Sequence, residues 1–375
     1  MRKLVTIQRV LATYPIKDAD MIECCQILGW QCITKKNEVK VHDLVVYFEI
    51  DSFIPMKPYF EFLKKSTTFQ GQEGYRLRTI KLKKVLSQGL VLPISHFPSE
   101  IQEKLKTKVE GEDVTDILEV IKYDNFVQEQ DQRPCLKSGR PSGSFPSFIP
   151  KTDQERIQNL THLWKTLDPE TTFEESLKLD GSSMTCYKVS VPPTLWQRIK
   201  AIFTFKTETV HFGVCSRNLE LSRKDSAVIV FDNQGTSSEY SQSNFWATAI
   251  KYNLQDKLPI GYAIQGELIG PKIQANHEKV NTLEYYVFDV FDITTGLYLP
   301  PQERVAFCAV HNIPHVPITD TKAQPFKKTL QELLTHVDTE SMNPNTISEG
   351  RVYKSNTSQL TFKVINNRYL IKNEL

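Results

Sequence analysis

The chain carries almost no net charge. Its 375 residues hold 46 Lys and Arg against 44 Asp and Glu, a formal charge of +2. That excludes a global basic field, so any nucleic-acid surface must be local. The seven cysteines, at positions 24, 25, 32, 135, 186, 215 and 308, form no C-x-x-C pair. Metal-finger spacing is therefore absent, and an odd, scattered set in a chain of this length reads as reduced thiols in a cytosolic protein. No run approaches the ~18 apolar residues of a membrane span, and Met1–Ile7 turns polar too early for a secretory segment. Internal repeats and low-complexity tracts are missing as well. The remaining composition, 40% hydrophobic and 24% charged, is that of a soluble globular protein. A single core stops growing near roughly 250–300 residues, so two domains are expected.

Residues 1–95 read as short strands. Leu4–Leu11, Met21–Ile27, Gln31–Thr34 and Leu44–Phe53 are rich in β-branched and aromatic residues, with breakers at Pro15–Asp18 and Lys35–Asn37. Such spacing suggests a small barrel. The run Tyr75–Lys84 (YRLRTIKLKK) holds five cations and no acid. Arg76, Arg78, Lys81 and Lys83, interleaved with Tyr75 and Leu77, suit a barrel face that follows a phosphate backbone. A solvated edge strand guarded by lysines would look the same.

Prolines 134, 141, 146 and 150 with glycines 139 and 143 mark residues 128–150 as a linker. Thr152-Asp153-Gln154-Glu155 then has the form of a capping box, opening a helix with Ile157, Leu160, Leu163, Trp164 and Leu167 on one face. Beyond Phe173, strands alternate with helical stretches at Pro192–Lys206, Phe245–Tyr252 and Pro325–Val337.

Six segments carry chemistry. Lys178-Leu179-Asp180-Gly181-Ser182-Ser183 places a lysine and a carboxylate two residues apart before a turn. A lysine can act as a covalent nucleophile, although K-x-D-G alone is more often a solvated lysine. Arg217 follows a strand and suits a phosphate or ribose. Glu267 lies in an apolar strand, where an acid needs a partner. Period-2 alternation puts Tyr286, Phe288 and Val290 on one face. Glu349-Gly350-Arg351-Val352-Tyr353-Lys354 and Thr361-Phe362-Lys363 place charge within strands.

In this order the segments resemble the signature of the covalent nucleotidyltransferase superfamily, which includes ATP-dependent polynucleotide ligases and capping enzymes. The stretch from Gly266 to Gln274, followed by Tyr286–Asp289, is most similar to the RNA ligase branch. A strand-rich module ahead of the catalytic part is similar to the Deinococcus-type RNA ligases. The resemblance implies an α+β fold: an OB-like β-barrel module over 1–127, the linker, and over 151–375 an adenylyltransferase domain. That domain would be an ATP-grasp-like nucleotidyltransferase of antiparallel sheets with flanking helices.

The resemblance also implies roles. Lys178 would take AMP from ATP as a phosphoramidate, and Asp180 would lie near the strand end being joined. Arg217 would contact nucleotide or phosphate, Glu267 the ribose, and Phe288 the adenine. Glu349 would place Mg²⁺ or Mn²⁺, Lys363 would contact the α-phosphate, and Lys354 would assist. Converging cations would depress the Lys178 amine pKa and ready it for attack. The implied partner is RNA, as a nicked duplex or an RNA/DNA hybrid, in RNA repair. No membrane is involved, and the protein is expected to be a cytoplasmic or nuclear monomer.

Two departures stand out. Many ligases carry a lysine where this chain has Thr361, which leaves Lys363 alone or supported by Lys372 or Lys354. Only 12 residues follow Lys363, too few for the C-terminal OB domain of DNA ligases and capping enzymes. That disfavours a capping-type guanylyltransferase, and the presence of Lys178 and Glu349 disfavours a non-catalytic RNA-binding protein.

Overall fold

A computed structural model describes residues 3–123, 141–191, 209–223, 228–231, 237–240 and 243–374. In the N-terminal part the strands are β1 (Val5–Pro15), β2 (Ile22–Ile27), β3 (Trp30–Lys35), β4 (Leu44–Phe48), β5 (Ser52–Pro55), β6 (Thr67–Phe69), β7 (Gln72–Arg76), β8 (Ile80–Leu82), β9 (Val85–Ser87), β10 (Leu90–Pro93) and β11 (Ile121–Lys122). The register of β1 shifts between Val10 and Ala12. A bulge bends a strand, and here the first half of β1 pairs with β4 while the second pairs with β2. The resulting sheet runs β10-β4-β1-β2-β3, and a second runs β11-β5-β7-β6. Val5, Ile7, Phe48, Ile54, Phe60 and Tyr75 form the core of this half-barrel.

The basic run is not one continuous strand. It ends β7, crosses to β8, and turns at Lys83 and Lys84, which both adopt positive φ. Tyr75 and Leu77 are core residues, so they do not interleave with the cations on the surface. Arg76 turns inward too, with its guanidinium 4.3 Å from the Tyr123 ring centre and 3.8 Å from Asp51. Arg78, Lys81, Lys83 and Lys84 remain exposed.

The C-terminal part continues with β12 (Pro141–Ser144), β13 (Glu155–Arg156), β14 (Phe173–Lys178), β15 (Ser182–Val191), β16 (Thr209–Cys215), β17 (Leu219–Leu221), β18 (Val228–Phe231), β19 (Ser237–Tyr240), β20 (Tyr262–Ile269), β21 (Glu284–Asp292), β22 (Leu297–Tyr298), β23 (Ile318–Ala323), β24 (Gly350–Ser355) and β25 (Thr361–Ile365). Seven strands form one sheet, β12-β17-β16-β15-β20-β21-β22, and five form another, β13-β25-β24-β14-β23. Every pairing in these two sheets is antiparallel except β13 with β25.

Helix Asn244–Lys251, capped by Ser243, buries Phe245 and Trp246 against the larger sheet. Helix Leu330–His336 opens on a Thr329–Glu332 capping box and packs Leu333 against the smaller one. Among the described residues, no helix is long and apolar enough to cross a membrane. Cysteines 24, 25, 32, 186, 215 and 308 are buried and free.

Two sequence expectations are corrected. Residues 141–144, read as linker, form a strand on the edge of the larger sheet. The capping box at Thr152–Glu155 does not open a helix. Glu155–Arg156 is a strand, Ile157–Asn159 a 3-10 turn, and only Leu163–Thr166 is α-helical. Tertiary bonds outcompete helical ones along this segment. The Gly29 amide donates to the Gln158 carbonyl (2.9 Å), the Trp30 indole to Asn159 (2.5 Å), and the Asn159 amide to Glu49 (2.5 Å). Arg156 lies 3.5 Å from Asp51. The helix expected for it instead fastens the two parts together. Residues 128–140, with Cys135, and the stretch Pro192–Lys206 lie outside the described residues.

Candidate active site

Lys178 is the last residue of β14 and Ser182 the first of β15, so Leu179-Asp180-Gly181 carries the chain from the smaller sheet to the larger one. A tight crossing explains the glycine. A Cβ on Gly181 would stand 2.3 Å from the Leu268 carbonyl oxygen. Gln274 secures the same turn, donating to the Gly181 carbonyl at 2.8 Å. Between the sheets lies a cleft of about 250 Å³, lined by Lys178, Asp180, Arg217, Glu267, Phe288, Glu349, Lys354 and Lys363. Every nucleotide-site residue expected from the sequence reaches it, although they come from both sheets.

Strand pairing sets the positions. Lys178 pairs with Gly350 across β14 and β24, which brings Glu349 alongside. The Lys178 amine donates to a Glu349 carboxylate oxygen at 2.7 Å. Glu267 pairs with Ser183 and Tyr286 in the facing sheet. The register of β20 and β21 slips between Gln265 and Gly266, whose partners are Asp289 and Val287, so Phe288 is the bulged residue between them. Bulges beside active sites re-aim a side chain. Here Phe288 packs with Leu177, Leu179 and Tyr286 and lines the cleft. Val290, expected on that face, joins Tyr285 and Val287 in the core because the bulge resets the alternation.

The electrostatics differ from expectation. Burial lowers the pKa of the Lys178 amine, but Glu349, Glu267 and Asp180 together outweigh it and hold the amine above the usual lysine value. The cations expected to depress it are engaged with other carboxylates. Lys363 (3.1 Å) and Arg217 (3.4 Å) meet Asp153, and Lys354 meets Asp289 at 2.5 Å. Burial, with Glu349 and Asp180 adding to it, pushes Glu267 to about 8 against the pull of Lys178 and Arg217. Burial also raises the Glu349 carboxyl.

Lys354 lies under the Phe288 ring, 5.8 Å from its centre, and donates to the Phe288 carbonyl. Burial brings its pKa down to about 8 although Asp289 opposes the change. Behind it, buried Arg304 pairs with Glu174 and donates to His315 at 2.9 Å. Desolvation and Arg304 lower His315 to about 4, so it stays neutral.

Thr361, opposite Lys354 in the β24–β25 register, faces a neighbouring cavity. Lys354 therefore adjoins the position where other ligases carry a lysine. Lys372 is exposed on helix Asn367–Glu374 and does not line the cleft. Three contacts escaped the sequence reading. Asp153 was assigned to a helix cap and Lys122 to no site. Tyr369, whose hydroxyl donates to Asp180 at 2.7 Å, lies far along the chain. No local pattern marks any of them.

Among the described residues, no group of three or more His, Cys, Asp or Glu side chains is arranged to hold a metal by itself. Glu349 and Asp180 nonetheless outnumber the one ammonium beside them. That surplus suits a divalent cation of the magnesium kind, which takes one or two carboxylates with phosphate oxygens and water. Glu349 is best placed to be one of them.

Comparisons with known proteins agree with this geometry. An OB-fold domain model matches residues 4–94, and a model described as RNA ligase matches residues 171–372. A mutant Naegleria gruberi RNA ligase with AMP and Mn is 36% identical, with a TM-score of 0.80, over 100% of this chain and 99% of that one. The Naegleria gruberi RNA ligase with pyrophosphate gives the same figures. A mutant with ATP and Mn, 36% identical at a TM-score of 0.80, covers 99% of each chain. No curated protein matches. The chain belongs to the RNA ligase family and carries an OB-fold domain ahead of its ligase domain.

Proposed function

We propose that this RNA ligase uses ATP to join a 3′-OH to a 5′-phosphate, on nicked duplex RNA or an RNA/DNA hybrid, in RNA repair. The observation that carries the reading is the single cleft in which Lys178 meets Glu349, Glu267, Phe288 and Lys363. The Naegleria ligases with ATP, AMP, pyrophosphate and Mn support the choice of nucleotide and of a divalent ion.

In the first step Lys178, an ammonium beside Glu349, loses a proton to solvent, and the neutral amine then attacks the α-phosphorus. An N–P bond forms, the bond to pyrophosphate breaks, and the amine gives up a proton. In the second, a 5′-phosphate oxygen takes the AMP and the lysine is released. In the third, the 3′-OH attacks the capped 5′-phosphate, forming the phosphodiester and expelling AMP.

Phosphoryl chemistry of this kind depends on positioning and charge stabilisation. Phe288 offers a face for adenine, worth roughly 1–3 kcal/mol in stacking. Glu267, protonated near neutrality, can donate to a ribose oxygen. Lys363 and Arg217 are placed to neutralise phosphate oxygens. A divalent ion held with Glu349 would offset charge on the phosphates.

Incubation with ATP labelled at the α-phosphate, with Mg²⁺, should label the protein, and Lys178→Ala should abolish the label. Label that survives the substitution would refute the covalent step. A nick with an RNA 3′-OH end should seal faster than an all-DNA nick, and equal sealing would refute the preference for RNA.

A further inference from the structure

Asp153 receives three cations. Its carboxylate is 2.6 Å from Lys122, 3.1 Å from Lys363 and 3.4 Å from Arg217. Two of these belong to the ligase domain. The third, Lys122, is the end of β11, anchored to the N-terminal half-barrel through its pairing with Ser52. Three positive charges converge on one carboxylate, an arrangement that would suit a phosphate monoester dianion in its place. The balance of effects holds Asp153 well below the usual carboxylate range even though burial opposes it, so it stays ionised. With Thr152 and Gln154, Asp153 lines the catalytic cleft, the neighbouring cavity beside Lys354, and a groove of about 870 Å³ between the two domains. It therefore stands in the wall between the nucleotide site and the interdomain groove.

We propose that Asp153 is an internal stand-in for phosphate, keeping Lys122, Arg217 and Lys363 converged on one seat until a phosphate group displaces it. The seat takes a phosphate dianion, and through Lys122 it ties the N-terminal domain to what binds in the cleft. This rests on the ligase reading for its ligand, which is either a phosphate of the nucleotide or the 5′-phosphate of the RNA strand. A phosphate entering the seat meets the Asp153 charge at close range. Removing that charge should strengthen binding by about tenfold, as expected for one unit charge a few ångströms away in partly screened surroundings.

The test uses the full chain carrying Lys178→Ala, so that no covalent transfer intervenes. Its equilibrium binding of inorganic pyrophosphate, and of nicked RNA duplexes ending in 5′-phosphate or 5′-hydroxyl, is compared with and without Asp153→Asn. The substitution should tighten binding of pyrophosphate, or of the 5′-phosphate duplex but not the 5′-hydroxyl one, about tenfold; which probe responds identifies the occupant. Asp153→Glu, which keeps the charge, should bind like the parent, and Lys122→Gln should bind more weakly. Equal or weaker binding of every probe by Asp153→Asn, in variants whose thermal melting matches the parent, would overturn the proposal. Asp153 would then be a scaffold for the three cations and not their competitor. Failure of the ATP-labelling assay with Lys178 intact would count against the ligase reading, while the pyrophosphate measurement would still judge the seat.

Discussion

Lys178 and Glu349 lie 171 positions apart in the chain, yet their charged groups meet at 2.7 Å. The contact is set by backbone pairing, because Lys178 sits opposite Gly350 across β14 and β24. Lys178 and Glu349 are thus placed by adjacent strands of one sheet, the kind of rigid support that precise chemistry needs.

Glu267 makes stability depend on pH. Its carboxyl is raised from the ordinary 4.5 to about 8 by burial and neighbouring carboxylates. Below 4.5 the group is protonated whether the chain is folded or unfolded, and it costs nothing. As pH rises from there to about 8, the unfolded carboxyl ionises while the folded one holds its proton, so stability falls across that window. Glu267→Gln should remove the slope and stabilise the protein by about 4 kcal/mol at pH 8, with little effect at pH 4.5. Thermal melts at several pH values check this, and parallel curves would contradict it.

The Lys354–Asp289 pair is buried, with side-chain exposures of 5% and 10%. Lys354→Met should cost about 3–5 kcal/mol, because it leaves the Asp289 carboxylate without a counter-charge. Adding Asp289→Asn should recover most of the loss. Urea unfolding of the two single variants and the double variant measures the coupling, and additive losses would mean the pair is not a unit.

Gly181→Ala should impair chemistry more than folding. The new methyl would meet the Leu268 carbonyl oxygen at 2.3 Å and Ile269 at 2.8 Å, forcing the crossing between the sheets to shift. A displacement on the order of 1 Å at the nucleophile costs about 100-fold in rate. Single-turnover labelling with ATP, beside a melting curve, separates this from unfolding. Near-normal labelling would show that the turn tolerates the methyl.

The exposed cations of the β8–β9 hairpin are the remaining candidates for strand binding. Reversing Lys81 and Lys83 to Glu should weaken binding of nicked RNA and flatten its salt dependence by a slope of about 2, roughly one per lost phosphate contact. Autoadenylylation should be unchanged. If labelling falls together with sealing, the hairpin has a structural role.

Much of the site was legible because the chemistry-bearing residues fall in short segments of recognisable type: lysine before a tight turn, acid in an apolar strand, acid–glycine at a strand entrance. What escaped depended on contacts distant in sequence. The Phe288 bulge follows from the register slip between Gln265 and Gly266, which shifts Val290 to the opposite face. Alternation counted along one strand cannot reveal a slip against its partner. The residues Thr152–Glu155 satisfy a local helix rule, yet Asp153 is claimed by three cations from three other segments. The basic run misled for a similar reason. Tyr75 and Leu77 have the composition of a binding face, but the half-barrel core takes them.

The fastening of the half-barrel onto Gln158 and Asn159 has a mechanical consequence. Bonds from Gly29, Trp30 and Glu49 fix the joint at several points. The slot between the domains is consequently closer to a cast than to a pair of jaws. On the proposed reading, a strand entering it would have to bring a shape the slot already accepts.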